Sequence, residues 1–227
     1  MTRATTDKKR TVAAATRAPG FQLGEGQARA MILRGAASVF AELGVRAASV
    51  EDILKAADVS RRTFYRLYGS KEDVALELYH LGTDILLETC RLAVREETDP
   101  LRQFERCMDA HLRNAREFGR LIFVLGGEAQ RQESMLHARR MKVHDAIIGL
   151  LSSGGQDVRL GKRIDPLLLR MILLSVEAVV RIVLEEGDEG RKVTDAGIER
   201  ARRVMRRVIT SALEGEGPRV APLPTLE

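Results

Sequence analysis

The stretch that decides the fold is residues 49–72, which read SVEDILKAADVSRRTFYRLYGSKE. Ser49, Ser60 and Ser70 each stand where the N-cap of a helix belongs, with Asp58–Ser60 as a tight turn and Gly69 as a break. The apolar positions of 50–57 supply one face of a short helix, and a second short helix runs through Phe64 to about 68. Two short helices in this order predict a helix-turn-helix.

Helical periodicity continues on both sides of this stretch. Upstream, apolar residues recur at spacings of three and four from Gln27 until Gly44 ends the helix. Downstream, the pattern predicts one long helix over 71–97 and further helices over about 100–117, 119–127, 131–151, 165–185 and 194–213. Long alternating strand patterns are absent, so we predict an all-α chain of about nine helices.

The positive charge is concentrated at one end of the chain. Residues 1–71 hold 13 Lys and Arg against 6 Asp and Glu, whereas the remaining residues hold 24 against 26. A basic excess confined to the first third is expected where that end meets a polyanion, although basic ends are often only solvated.

The start of the second short helix carries side chains suited to reading DNA. It begins Ser60-Arg61-Arg62-Thr63, in which the arginines can reach the acceptor edge of guanine and the threonine can contact a base edge or a thymine methyl. Phe64 should face inward. Each of these residues alone fits a solvated face or an ordinary core, and it is their joint order that favours DNA binding. Three further residues are predicted at the phosphate backbone: Ser49, Tyr65 and Lys71.

The residues of 32–44, 49–53 and 59–72 resemble the DNA-binding domain of the TetR family of transcription regulators. The resemblance is specific over about residues 27–80 and only architectural beyond them. It implies that Arg61, Arg62 and Thr63 read bases and that Tyr65 and Lys71 bind phosphate.

Three positions depart from the usual pattern of that family. Ser49 replaces the usual threonine and keeps a hydroxyl, and Tyr68 replaces the usual phenylalanine and should still pack inward. Leu67 stands where members often have histidine, so a polar contact to the DNA backbone should be missing there.

These observations divide the chain into four parts. We expect a flexible basic arm over 1–26, a helix-turn-helix DNA-binding domain over 27–72, a ligand-binding and dimerisation domain over 73–213 and a flexible tail over 214–227.

The segment 168–183 is apolar nearly all round and should be buried on several sides. The last helix has an apolar stripe of Ile198, Ala201, Val204 or Met205, Val208 and Ala212. These last two helices should form a four-helix interface in a homodimer, although they could instead pack wholly inside a monomer.

The helices before them should enclose a ligand pocket, although most of its candidate residues could equally be plain core. The candidates are Phe104, Met108, His111, Phe118, Phe123, Met141, His144, Glu177 and Arg181. Glu177 and Arg181 are four residues apart and could pair with each other. Cys107 and His111 also share a helix face, but without a clear third ligand we expect structural filling rather than a metal site.

The function that these residues and the resemblance favour is a TetR-like transcriptional regulator, most commonly a repressor in that family, released from a palindromic operator by a small molecule. The alternatives are a transcriptional activator on the same fold and a helical protein-interaction module. No enzymatic motif is present, and no cofactor or metal is expected. Two cysteines, no evident signal peptide and charged residues within 167–184 favour a cytoplasmic protein that does not enter the membrane.

Overall fold

The computed structural model describes residues 24–154, 164–186 and 194–214, and these ranges contain nine α-helices and no strand. The helices are α1 (Glu25–Leu43), α2 (Val50–Ala57), α3 (Arg61–Leu67), α4 (Lys71–Glu96), α5 (Pro100–Phe118), α6 (Arg120–Ala129), α7 (Met135–Gly154), α8 (Pro166–Glu186) and α9 (Asp195–Glu214). The all-α prediction is confirmed. The predicted arm up to residue 23, the predicted tail after Glu214 and residues 155–163 of the predicted loop lie outside the described residues. Where these segments are described the prediction of irregular structure is wrong, because residues 25–26, 152–154 and 214 continue the neighbouring helices α1, α7 and α9.

Local capping fixes where α2, α3 and α4 begin. The Ser49 hydroxyl accepts from the amide of Asp52 at 3.2 Å, and the Ser49 amide donates to the Asp52 carboxylate at 2.9 Å. Ser70 and Asp73 repeat this reciprocal arrangement at the start of α4. Ser60 caps α3 by accepting from the amide of Thr63 at 3.1 Å. All three serines therefore act as the N-caps that the sequence predicted.

The first four helices share a hydrophobic core. Phe40 of α1, Ile53 of α2, Phe64 of α3 and Val74 of α4 are all fully buried. Tyr68, which follows α3, is only 6% exposed and contacts Phe64, with 5.8 Å between ring centroids. The inward orientation predicted for both aromatic residues is confirmed, and it leaves the opposite side of α3 toward solvent.

Gly35 lies where α1 crosses α2. A Cβ at this position would sit 2.7 Å from the backbone nitrogen of Ala57 and 2.9 Å from its Cα. These distances are too short for any side chain, and backbone atoms cannot rotate away as a side chain can. The two helices therefore approach as closely as they do because residue 35 is glycine.

We predict that Gly35→Ala destabilises the protein because it forces α1 and α2 apart. The free energy of unfolding should fall by about 1–3 kcal/mol, which lowers the thermal midpoint by roughly 2–4 °C for each kcal/mol. The matched control is Gly149→Ala in α7, where a Cβ would meet nothing within 4 Å. That change should stabilise by about 0.5–1 kcal/mol. Equal midpoints for the two variants would contradict the prediction.

The remaining helices form a second core. It includes the later part of α4 together with α5, α7, α8 and α9, and its most deeply buried residues include Leu112, Ile147, Leu169, Leu184 and Ile209. The buried stripe of α9 runs through Ile198, Ala201, Met205 and Ile209. Of the two alternatives that the sequence left for this stripe, Met205 is the buried one.

One face of α8 and α9 is left uncovered in the single chain. The large apolar residues that it exposes are Leu167, Met171, Leu174 and Ile182 on α8, and Val204 and Val208 on α9. No described element of the single chain covers this face, so the burial of α8 on several sides stays a prediction that requires a second copy. None of the described helices is long and apolar enough to cross a membrane.

Candidate DNA interface and ligand cavity

The residues predicted to read bases lie together at the start of α3. Arg61 and Arg62 are exposed, and Thr63 is half-buried beside the Ser60 cap. Tyr65 is 49% exposed and points away from the core, with its ring edge against Phe64. The exposed side of α3 therefore carries the side chains that can contact another molecule, and the opposite side packs into the core through Phe64.

Arg61 forms an ion pair across the turn between α2 and α3. Its guanidinium lies 2.5 Å from the Glu51 carboxylate, and both side chains are more than half exposed. Exposed pairs of this kind contribute little to stability, so Arg61 can leave Glu51 at small cost when a better acceptor approaches.

Lys71 holds the start of α4 against the loop that precedes α2. Its ammonium donates to the carbonyl oxygen of Arg46 at 2.9 Å and to that of Ala48 at 2.5 Å, and the side chain is 19% exposed. Two of its three N–H donors are thus used within the protein. This role was not anticipated from the sequence, and the phosphate contact of Lys71 stays a prediction.

We predict that Lys71→Met weakens both the fold and DNA binding. Loss of two hydrogen bonds from a charged donor should lower the free energy of unfolding by about 1.5–3 kcal/mol. Affinity should fall by a similar factor for every duplex, because a phosphate contact carries no sequence information. Chemical denaturation and titrations with several duplexes measure the two effects. Lys55→Met, at an exposed position of α2, is the control, and equal stability of the two variants would contradict the prediction.

A cavity of about 410 Å³ lies between α4, α5, α6, α7 and α8. Its wall is mostly apolar. Five of the nine predicted pocket residues line it: His111, Phe118, Phe123, Glu177 and Arg181. The other four do not. Phe104 and Met108 line a separate small void in the second core, whereas Met141 and the buried His144 lie on α7 outside the cavity lining.

A charged cluster spans α7 and α8 at the cavity wall. The Glu177 carboxylate accepts from Arg140 at 2.6 Å and from Nε2 of His144 at 2.6 Å. Burial raises the pKa of Glu177, but the hydrogen bonds and charges of His144 and Arg140 outweigh it and hold the pKa below its ordinary value. Glu177 is therefore an ionised, fully engaged acceptor.

The Glu177–Arg181 pair that the sequence allowed is not formed. Arg181 instead donates to Glu185 at 3.2 Å and to the side chain of Gln130 at 3.3 Å. Its guanidinium also lies 5.2 Å from the ring centre of Phe123. Glu177 has its partners on α7, and the residue of α8 that pairs with Arg181 at a spacing of four is Glu185 rather than Glu177.

Cys107 and His111 are both held by backbone carbonyls. Nδ1 of His111 lies 2.9 Å from the Cys107 carbonyl oxygen, and the Cys107 sulfur lies 4.0 Å from the carbonyl oxygen of Cys90. Both cysteines are free thiols, and the pKa of Cys90 is raised by its hydrogen bond with Cys107 and by burial. The described residues contain no group of three or more His, Cys, Asp or Glu that could hold a metal.

Most of the cavity wall was not anticipated from the sequence. The missed lining residues include Leu78, Tyr79, Leu81, Gly82, Thr83, Ile85 and Leu86 of α4, and Leu121, Ile122, Leu125, Gly126 and Gly127 of α6. The periodic apolar face of α4 was visible, but core and cavity wall have the same pattern. Arg140 was also missed, because an arginine within a helix usually indicates a solvated face.

Two helices, α4 and α6, contribute residues both to the cavity wall and to the first core, which holds the helix-turn-helix. Val74 and Ala75 at the start of α4 are fully buried in the first core, while residues 78–86 of the same helix line the cavity. Leu125 of α6 belongs to both. In addition, Nε of Arg120 donates to the Ala41 carbonyl oxygen of α1 at 2.5 Å. Displacement of α4 or α6 at the cavity would therefore act directly on the first core.

A short basic α3 held on a hydrophobic core, with an apolar cavity in the helices behind it, combines a helix-turn-helix with a cavity large enough for a small molecule. Residues 32–78 match the family described as bacterial regulatory proteins, tetR family. The similarity to that family is therefore established for residues 32–78, which include α2 and α3.

One curated relative and two solved structures are similar to this chain. The HTH-type transcriptional repressor KstR2 of Mycobacterium tuberculosis is 30% identical over 106 residues, which are 47% of this chain and 53% of that protein. The match thus spans about half the length of the relative. The TetR family regulator PfmR of Thermus thermophilus has a TM-score of 0.63 and 24% identity, over 82% of this chain and 99% of that one.

The second structure is the transcriptional regulator FadR of Bacillus subtilis in complex with stearoyl-CoA. It has a TM-score of 0.68 and 18% identity, over 81% of this chain and 98% of that one. At these identities the two structures establish a shared fold across most of the chain.

Proposed function

We propose that the protein is a repressor that binds a palindromic operator as a homodimer and leaves it when a small apolar molecule fills the cavity. The observation that carries this proposal is the pair of shared helices, α4 and α6, which connect the cavity wall to the core beneath α3. The names of two similar proteins support it, since KstR2 is called a repressor and FadR was solved with an acyl-CoA.

In this proposal the DNA-binding domain covers residues 27–72, and the ligand-binding and dimerisation domain covers 73–213. Ser60, Arg61, Arg62 and Thr63 enter the major groove, while Ser49, Tyr65 and Lys71 position the domain on the phosphates. The proposed boundary falls in the first turn of α4. This helix therefore belongs physically to both units and can transmit a displacement between them.

The uncovered apolar face of α8 and α9 is the proposed dimer interface. It places six large apolar side chains in solvent on two neighbouring helices, and pairing with the same face of a second copy would bury them in a four-helix arrangement. A two-fold dimer presents two recognition helices, which must lie about 34–36 Å apart to reach successive major grooves.

The proposed mechanism is a change in that separation. A molecule in the cavity displaces α4, and α6 transmits part of the shift to α1 through Arg120 and Leu125. The paired α3 helices then no longer match both half-sites. A coupling free energy of about 1–3 kcal/mol is sufficient to release a promoter.

Selection of bound fragments from random DNA with the full-length protein tests the proposal. The expected product is a palindrome whose half-sites are one helical turn apart, bound in a salt-dependent manner. Addition of n-decanol or methyl nonyl ether should weaken binding to that palindrome by about 5- to 150-fold, which corresponds to the stated coupling. Failure to enrich any sequence would overturn the proposed function, and an operator bound more tightly or unchanged with both compounds would overturn the effector part.

A further inference from the structure

Two residues on the α5 wall of the cavity present hydrogen-bond acceptors. His111 and Asn114 are three residues apart on α5, so they lie on the same face of that helix, and both line the cavity. The remainder of the wall is largely apolar. The protonation of His111 and the orientation of the Asn114 amide therefore decide which polar group a ligand can place beside them.

The imidazole of His111 is oriented by the backbone. Its Nδ1 lies 2.9 Å from the Cys107 carbonyl oxygen, and since a carbonyl can only accept, Nδ1 must carry the hydrogen and donate it. Burial lowers the pKa of His111 below its ordinary value, so the ring is neutral at neutral pH. Nε2 is then an acceptor, and no described residue donates a hydrogen bond to it.

Asn114 presents an acceptor by the same reasoning. Its side-chain nitrogen donates to the Gly82 carbonyl oxygen at 3.4 Å, which fixes the amide with Oδ1 as the free end. The residue is 8% exposed, and within the described part of the chain Oδ1 has no donor. Both residues line the cavity, so a ligand that brings a hydrogen-bond donor can satisfy these two acceptors.

The charged side chains of the wall, Glu177, Arg140 and Arg181, each have a partner of opposite charge within the protein, so none is left unpaired for an anionic ligand. The two oxygens of Glu177 already accept from Arg140 and His144, so part of the positive charge nearby is neutralised. Glu177 is also close enough to His111 to influence its pKa through its charge. A carboxylate placed against α5 would face two acceptors and a second negative charge, with no donor from His111 or from Oδ1 of Asn114.

From this geometry we infer that the effector is an apolar molecule bearing a hydroxyl group, which donates to Nε2 of His111 or Oδ1 of Asn114. The inference rests on the proposed function and adds to it the polar group that the cavity selects. The apolar body lies against the residues of α4 and α6 that line the cavity, such as Leu78, Ile85 and Ile122.

Three probes with similar apolar chains test this inference by isothermal titration calorimetry on the full chain. They are n-decanol, which donates; methyl nonyl ether, its isomer that only accepts; and decanoate, which is an anion. We expect n-decanol to bind about 5- to 10-fold more tightly than the ether, as one buried hydrogen bond predicts, and decanoate to bind more weakly than n-decanol.

The variant His111→Phe together with Asn114→Leu removes both acceptors and keeps apolar volume. In this variant the affinity for n-decanol should fall to that of the ether, while ether binding remains, which shows that the cavity is intact. The matched control is His137→Phe, because His137 is also held through Nδ1 by a backbone carbonyl but lies outside the cavity. That variant should keep the preference for n-decanol.

The outcomes separate this inference from the proposed function. Equal binding of n-decanol and the ether to the unmodified protein, tighter binding of decanoate, or no binding of n-decanol would overturn the inference. Operator binding is measured on the same preparation. A protein that binds its operator but shows no preference for the donor contradicts only the inference, whereas a protein that binds no operator contradicts the proposed function.

Discussion

Replacement of both Arg61 and Arg62 by alanine should lower operator affinity by roughly 1,000-fold or more and remove most of the preference for the operator sequence. Each bidentate arginine–guanine contact discriminates by about 1–3 kcal/mol, and a dimer would bring four such arginines to the DNA. At the lower value the four arginines together contribute about 4 kcal/mol. Since about 1.4 kcal/mol corresponds to a tenfold change in affinity, their loss lowers the affinity about 1,000-fold. Both side chains are exposed and α3 is held by Phe64 and Tyr68, so the fold should be unaffected.

The matched control removes the same charge from another surface. Arg91 and Arg95 are exposed on α4, and their double replacement by alanine also removes two positive charges from each chain. Fluorescence anisotropy with the selected operator and with a scrambled duplex, at one fixed salt concentration, compares the two variants. The control should change both affinities slightly and alike. Operator affinity that survives loss of Arg61 and Arg62 would mean that α3 is not the recognition helix.

The ion pair between Arg61 and Glu51 contributes to the expected loss of affinity. Arg61→Ala leaves the Glu51 carboxylate at the same surface without a partner. Part of the loss on any duplex would then come from repulsion between Glu51 and phosphate. Adding Glu51→Gln to the double variant removes this contribution, and what remains is the loss of direct contacts.

The starts of α2, α3 and α4 could be predicted to the residue because short-range interactions set them. Each cap joins Ser49, Ser60 or Ser70 to a group three residues away, so all participants are visible in a window of four residues. The inward position of Phe64 followed from the same local pattern. Where an element is determined by its own residues, the local sequence was sufficient to predict it.

The close approach at Gly35 and the charged cluster at the cavity could not be predicted in this way. Gly35 looks like an ordinary helix residue until Ala57 is placed against it. Arg140 and Glu177 are 37 residues apart and meet because α7 packs on α8. Spacing along one helix allowed a pair between Glu177 and Arg181, but the partners of Glu177 lie on the neighbouring helix α7. Contacts between distant segments follow from packing, which periodicity alone does not specify.

The apolar character of α8 was predicted, but which of its faces the chain itself buries was not. Leu169, Ile172 and Val176 point into the second core, whereas Met171 and Leu174 remain in solvent at 59% and 43% exposure. A helix that is apolar all round must be covered on all sides, and one chain covers only one. The uncovered face is therefore where the proposed second copy should bind.

Introduction of charge on that face should convert the proposed dimer to a monomer. In Met171→Glu with Leu174→Glu, association would bury four carboxylates without partners, and each buried unpaired charge costs several kcal/mol. Glutamate has a helix propensity close to that of leucine and methionine, so α8 should remain helical in the monomer. Analytical ultracentrifugation should show two chains for the unmodified protein and one for the variant at micromolar concentration.

The same variant should lose operator binding although all of the proposed DNA-contacting residues are intact. A monomer places one α3 in one half-site, so the second set of contacts is absent and affinity should fall by at least about 1,000-fold, as a contribution of about 4 kcal/mol or more predicts. The control is Leu92→Glu with Met135→Glu, which adds the same charge at exposed apolar positions of α4 and α7. It should remain dimeric and bind DNA. If the α8 variant still sedimented as two chains, or if the control dissociated as well, the face of α8 and α9 would not be the interface, and the spacing argument for the paired recognition helices would fail with it.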